Sequence, residues 1–362
     1  MSGGAAVSGG AAGVGAWRMP AEPERHERLW MAFPRGGYTL GDDDASAEAA
    51  RTAWASVANA AAEFEPVTVV VDPTATRDAR RHLSGEITIL EAPLDDAWMR
   101  DIGPTFVVPS GGFAEGGVEQ KLGAVDWTFN GWGAQPWASW EADREIGSFV
   151  ARAAGACILP SLLVNEGGAI HVDGRGTVLV TETVQLDPGR NPYADRARVE
   201  AELARTLGAT HVIWLPRGLS RDYEEFGTRG HVDMVAAIPA PGVLLLHSQP
   251  DPAHPDHAVM ASLRSFLSET VDAEGRPWEI VDLPAPSELR DSAGFVDHNY
   301  VNHLVVNGGV LACGFDDPVA DARAASVLAS VYPGRRVVTL DAREIFARGG
   351  GIHCITQQQP AV

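Results

Sequence analysis

Four stretches of this chain repeat one local design: an extended apolar run, a tight turn rich in Gly, Pro or Asn, and a second extended run. Ile102–Val108 turns at Pro109-Ser110-Gly111-Gly112 and returns through Phe113–Val118. Ala169–Val172 turns at Asp173-Gly174-Arg175-Gly176 into Thr177–Thr181. Val232–Ile238 turns at Pro239-Ala240-Pro241-Gly242 into Val243–His247, and Asn299–Val306 turns at Asn307-Gly308-Gly309 into Val310–Phe315. The turn centres recur every roughly 65 residues, and a fixed period of this kind marks a repeat architecture. Helix-like stretches follow at Asp43–Ala62, Trp140–Ala154, Ala194–Thr206, Pro255–Glu269 and Asp317–Val331. Each leads to another short apolar run: Val67–Val71, Cys157–Leu159, His211–Leu215, Trp278–Leu283 and Arg336–Leu340. The predicted unit is strand–strand–helix–strand, present about five times. No such unit buries its faces alone, so the copies are expected to close around a common axis.

Composition narrows the partners. The 362 residues are 45% apolar, ample for a sizeable core, and carry a formal charge of −20. That charge repels nucleic acid and anionic membranes and suits a small cation. No window approaches the apolar length of a membrane span. Three cysteines (Cys157, Cys313, Cys354) are too few and too scattered for a disulfide framework, and no CxxC pair suggests zinc. A reducing, cytoplasmic setting is expected. Residues 1–16 are rich in Gly, Ala and Ser, with neither a basic start nor an apolar segment. They read as a disordered tail, leaving 17–362 as a single domain.

The polar residues ahead of the hairpins are in register. Asp101, Glu166, His231 and Asp297/His298 each precede their turn by a similar length, and Cys354 takes the matching place in a truncated fifth unit. In a closed ring, equivalent positions converge on the axis. Cys354, behind Gly349-Gly350-Gly351, would by itself read as readily as a small buried hydrophobe. The register makes it a thiol at the floor of a pocket. His231 and Asp233, two apart at the start of an expected strand, share one face there, and a neighbouring carboxylate makes a histidine more basic. His171-Val172-Asp173 has the same tripeptide but runs into a turn, so Asp173 reads as a turn residue and Glu166 as that repeat's candidate. Asp101 could alternatively cap its turn or pair with Arg100. His353, next to Cys354 on an expected strand, would face away from it and reads as structural. A thiol, a histidine and several carboxylates in one acidic pocket suit nucleophilic attack on a planar cation. The bound cation would also favour the thiolate.

These residues carry a resemblance to a known family. Met19-Pro20-Ala21-Glu22, Trp30-Met31-Ala32-Phe33-Pro34, Trp98-Met99-Arg100-Asp101-Ile102-Gly103-Pro104 and Phe129-Asn130-Gly131-Trp132-Gly133 open the match. Glu166-Gly167-Gly168, Gly230-His231-Val232-Asp233 and Gly349-Gly350-Gly351-Ile352-His353-Cys354-Ile355-Thr356-Gln357-Gln358-Gln359-Pro360 complete it. In this combination, over nearly the whole chain, the sequence resembles the agmatine deiminase family, in the bacterial-type peptidylarginine deiminase branch of the guanidino-group-modifying superfamily. The resemblance implies a five-bladed, pseudo-symmetric α/β propeller and a hydrolase making a ureido compound and ammonia, with no metal and no organic cofactor. It implies that Cys354 attacks the guanidinium carbon and that His231 protonates the leaving ammonia, then deprotonates water. Asp101 and Asp233 would clamp the guanidinium, Glu166 would engage His231 or the substrate, and Trp98 would line the pocket. The implied substrate is agmatine, converted to N-carbamoylputrescine, with peptidyl-arginine or another guanidino compound as alternatives. From other classes, a metal-dependent hydrolase and a non-catalytic propeller stand beside it. Departures fall at Arg229 and Met234, which flank the Gly-His-Val-Asp motif, and at Ala134-Gln135. The oligomeric state, a homodimer included, is not fixed by the sequence.

Overall fold

The computed structural model describes residues 16–41, 43–110 and 122–362. The proposed tail, but for its last residue, and the expected return strand Phe113–Val118 lie outside them. Within them, five small sheets carry the repeat. The first blade holds His26–Ala32, Val67–Val71 and Thr88–Glu91; the second holds Thr105–Pro109, Gly123–Thr128 and Cys157–Val164, with Trp17–Arg18 added along Thr105–Pro109. The third holds His171–Val172, Thr177–Thr181 and His211–Leu215. The fourth holds Ala236–Ala240, Val243–Ser248 and Glu279–Pro284, and the fifth Leu304–Val306, Gly309–Gly314 and Arg336–Asp341. The C-terminal strand Thr356–Pro360 pairs antiparallel with His26–Ala32 and so seals the first blade with the end of the chain. The fold is a five-bladed α/β propeller.

Each blade joins an antiparallel pair of strands, made in the first blade by the C-terminal strand, to a strand that returns parallel after a helix, which is the connection parallel neighbours require. The helices are Asp44–Ala62, Ile146–Ala153, Arg196–Leu207, Pro255–Ser268 and Pro318–Val331. Their starts are written locally. Asp43, Asp195 and Asp317 accept backbone N–H bonds as caps, and Pro255 and Pro318 stand in the first turns, where a missing N–H costs nothing. Central strands such as Val67–Val71, Thr177–Thr181 and Gly309–Gly314 are buried along their whole length, as strands covered on both faces must be. No helix of the described residues is long and apolar enough to cross a membrane.

The expected first strands of the hairpins begin too early. Met99–Ile102 is a helical turn before Thr105–Pro109; Gly167–Ala169 and Val232–Met234 are 3-10 turns before His171–Val172 and Ala236–Ala240; and the fifth-blade strand starts only at Leu304. An apolar run buried on every side carries no periodicity to separate strand from turn. What selects the turn is backbone packing at the axis. A Cβ on Gly167 would strike the Arg100 carbonyl, and one on Gly103 would lie 2.5 Å from the Met99 carbonyl. Glycine at Gly167 lets the turns of the second and third blades meet, and at Gly103 it lets the Met99–Ile102 turn close on itself.

Candidate active site

These turns deliver the polar side chains. Asp101 lies in Met99–Ile102, Glu166 stands just before Gly167–Ala169, His231 just before Val232–Met234, and Cys354 in the turn ahead of Thr356–Pro360. Gly230 takes φ +112, a conformation open to glycine, and its N–H and that of His231 are both held by Asp222 Oδ2 at 2.7 and 2.9 Å. The fifth blade contributes Asn302. Asp297 and His298, expected there from the register, face elsewhere: His298 stacks on Phe315 at 4.6 Å, and Asp297 is surrounded by Asp222, Arg221 and Asp256.

His231 Nε2 lies 3.3 Å from Glu166 Oε2 and its Nδ1 3.9 Å from Asp101 Oδ2. Asp101 accepts from Trp132 Nε1 (2.9 Å) and from the Gly168 N–H (3.1 Å), not from Arg100. Arg100 instead donates to the His353 carbonyl and to Gln358 Oε1. Glu166 receives the Nε of Arg190 at 2.9 Å, with both side chains fully buried. The sulfur of Cys354 is 3.2 Å from Asn302 Nδ2 and 3.5 Å from Asp233 Oδ2. Asn302 Oδ1 accepts the His353 N–H at 3.0 Å, which fixes the amide so that its NH₂ faces the sulfur. Trp98 packs beside this thiol: a Cβ on Gly350 would lie 2.6 Å from the Trp98 ring and 3.1 Å from Cys354 Sγ.

Two expected pairings are corrected. Asp233 does not partner His231; its Oδ2 is 2.8 Å from His353 Nδ1. The strand rule that put His231 and Asp233 on one face does not apply, because Val232–Met234 is a 3-10 turn. Cys354 and His353 also lie on a turn rather than a strand, so His353 turns beneath the site instead of away from it.

The electrostatics follow from burial among like charges. Burial and the neighbouring Glu166 and Asp233 push Asp101 up to about 6, although His231 opposes them. For His231, burial disfavours charge, but Asp101, Glu166 and Asp233 outweigh it and raise it to about 9. Burial also penalises charge on Glu166, yet Arg190 and His231 hold it below the usual range. Burial, Asp233 and Asp101 push the Cys354 thiol well up, with the Gly351 N–H and Asn302 resisting. A site of this kind favours an incoming cation and suppresses the thiolate until one arrives.

Gly168 is what lets the acceptors for that cation converge. A Cβ there would lie 2.5 Å from His231 Nδ1, 3.0 Å from Asp233 Oδ2 and 3.1 Å from Asp101 Oδ1. Both His231 Nδ1 and Asp233 Oδ1 are buried and unpartnered among the described residues, as expected of groups awaiting a ligand. Gly168→Ala should therefore push these groups apart and lower kcat/KM by about 100-fold or more without replacing any of them, since misplacing a reacting group by an ångström has that effect. Steady-state kinetics on protein with a wild-type circular dichroism spectrum checks this; wild-type kinetics would remove the assignment.

A sequence profile of the Porphyromonas-type peptidyl-arginine deiminase family matches residues 18–360. The chain belongs to this family. Among its relatives is a protein of Streptomyces avermitilis, provisionally named an agmatine deiminase, 54% identical over 346 residues that span 95% of this chain and 97% of that one. The agmatine deiminase of Pseudomonas fluorescens is 37% identical over 95% of this chain and 96% of its own length. The solved agmatine deiminase of Enterococcus faecalis superposes with a TM-score of 0.86 at 31% identity, covering 95% of this chain and 96% of that one.

Arg100, Arg190, Asn302, Trp132 and Glu22 escaped the sequence reading as site components. Glu22, Arg100 and Trp132 lay inside the family motifs, so a signal existed; Arg190 and Asn302 had none. Among the described residues, Glu22, His171 and His353 form a cluster with metal-ligand chemistry. Its donors are engaged: His171 Nε2 accepts the Ile238 N–H at 2.8 Å, and His353 bridges Glu22 and Asp233. That set fits an internal hydrogen-bond network better than an ion, and it lies under Asp233 rather than beside Cys354.

Proposed function

We propose that this member of the deiminase family hydrolyses agmatine to N-carbamoylputrescine and ammonia, with Cys354 as nucleophile. The observation that carries this reading is the cluster of Asp101, Asp233 and His231 drawn together over Gly168, with the Cys354 sulfur 3.5 Å from Asp233 Oδ2. A guanidinium entering it donates paired N–H bonds to the two carboxylates and places its carbon before the sulfur. Its charge reverses the field that suppresses the thiolate, the thiol gives its proton to solvent water, and the Asn302 N–H supports the resulting S⁻. The sulfur adds to the guanidinium carbon. His231, protonated and steadied by Glu166, gives its proton to one nitrogen, which departs as ammonia and leaves an S-alkylthiouronium. His231 then takes a proton from water; the hydroxide adds to the same carbon, the C–S bond breaks, the hydroxyl proton passes to the departing sulfur to restore the thiol, and the oxygen stays as the ureido carbonyl.

Burial favours a small guanidine over an arginyl peptide. Asp101, Glu166, His231, Asp233 and Cys354 are all buried, and Trp98 beside them is only 3% exposed. An aromatic wall runs from Asp101 outward: Trp132 stacks on Trp137 at 5.2 Å, Trp137 meets Tyr38 edge-on at 4.8 Å, and Tyr38 stacks on Phe226 at 4.8 Å. Trp132, Ala134, Phe226 and Arg229 all take positive φ here, the kind of strain that clusters at ligand sites. The three free cysteines support a cytoplasmic setting. The test is a screen of purified protein against agmatine, arginine, guanidinobutyrate and a peptide ending in arginine, reading ureido product and ammonia. Agmatine should lead clearly; no turnover of agmatine would sink the reading, and preference for the peptide would replace it with protein deimination.

A further inference from the structure

Two carboxylates grip the ring of His353. Nδ1 lies 2.8 Å from Asp233 Oδ2, and Nε2 lies 2.7 Å from Glu22 Oε1. An ionised carboxylate accepts hydrogen bonds and donates none, so both ring nitrogens must carry protons. Burial opposes charge on Glu22 and Asp233, but His353 leads the contacts that hold both below the usual carboxylate range, helped by Arg100. The ring is thus an imidazolium held between Asp233 and Glu22. It commits one oxygen of Asp233 and leaves Oδ1 buried and unpartnered among the described residues. The remaining titratable or charged groups facing it are Arg100, His171 at 6.4 Å between ring centroids, His303 and Cys354. Burial keeps His171 below its ordinary range and pulls His303 down to about 4, so both stay neutral near pH 7 and the charge resides on His353.

We propose that His353 is a positioning residue for deimination: as an imidazolium it fixes Asp233 through Oδ2, leaves Oδ1 to accept a guanidinium N–H, and draws the carboxylate's charge away from the sulfur 3.5 Å from it. Glu22, on the far side of the ring, keeps the imidazolium charged. This rests on the reading of Cys354 as nucleophile and Asp233 as substrate clamp. It also has a consequence in the absence of substrate. Removing the imidazolium leaves Asp233 to repel the thiolate fully, so the thiol should ionise at higher pH.

The test follows alkylation of Cys354 by iodoacetamide against pH, in wild type, His353→Asn, His353→Phe and Glu22→Gln, with agmatine turnover measured alongside. Asparagine can offer Asp233 one N–H in place of Nδ1; phenylalanine offers none. His353→Phe is expected to slow alkylation near neutral pH about tenfold, as one unit of thiol pKa would, and to lower kcat/KM about 100-fold. His353→Asn should recover much of kcat/KM through its N–H to Asp233 but, being uncharged, should leave alkylation slow, and Glu22→Gln should move the alkylation midpoint the same way by less. Wild-type turnover in both His353 variants overturns the proposal. So does an equal loss in both with an unmoved alkylation profile, which is the pattern of a merely structural histidine. A shifted profile in a protein that does not turn over agmatine supports the role of His353 while removing the substrate assignment.

Discussion

Cys354→Ser is expected to lower turnover of agmatine by about 10⁴-fold or more, the scale on which nucleophile removal acts in other covalent hydrolases, while leaving agmatine bound. The reason is the field at the sulfur. Asp233 Oδ2 is 3.5 Å away and Asp101 adds to the repulsion. A thiol overcomes that once a guanidinium arrives, because sulfur ionises readily; a serine hydroxyl, far less acidic, does not. The clamp formed by Asp101 and Asp233 is unchanged, so binding survives the loss of chemistry. Calorimetric titration with agmatine should show binding near wild type, and single-turnover kinetics should show no burst of ammonia. Residual activity above about 1% of wild type would exclude Cys354 as the nucleophile. Cys313 is the internal control: burial pushes its thiol up to about 12, so an alkylating agent should ignore it.

His231→Asn is expected to lower kcat by about 10³-fold, within the usual range for a general acid–base group, and to change the shape of the pH profile. The sign follows from two groups 3.9 Å apart, His231 Nδ1 and Asp101 Oδ2. As pH falls through about 6, Asp101 takes up a proton and stops binding the guanidinium, so kcat/KM falls. As pH rises through about 9, His231 loses the proton it must give to ammonia, and kcat/KM falls again. Wild type should therefore show a bell between these limits. In His231→Asn the basic limb should vanish. The acid limb should move upward, because the imidazolium that lowers Asp101 is gone. A bell of unchanged shape in the variant would mean that His231 is not the acid.

The repeat was the most legible part of the chain. Turn chemistry such as Asn307-Gly308 is local, helix starts are marked by Asp43, Asp195 and Asp317, and the strand–helix–strand alternation survives reading without a structure. The position of Cys354, Glu166, His231 and Asp101 ahead of their hairpins was legible for the same reason: a repeat in sequence becomes a ring in space. The fifth position was misplaced onto Asp297/His298, because register alone does not say which of two polar clusters the turn swings inward, and Asn302 is the one that reaches the thiol. Strand starts were read too early because the last residues before each inner strand are buried on every side.

Pairing was a different matter. His231-Val232-Asp233 invites a histidine–carboxylate couple from neighbours in sequence, yet His231 takes Glu166 and Asp101 from other blades, and Asp233 takes His353 from the far end of the chain. The sequence by itself determined the repeat, the ring and the chemistry-bearing residue types, because those depend on backbone geometry and on periodicity within a few tens of residues. Only the tertiary structure decided which carboxylate serves which histidine, that Asn302 supports the sulfur, and that Arg190 supports Glu166. Those choices depend on which side chains meet at the axis after five blades close, where low dielectric makes each contact decisive.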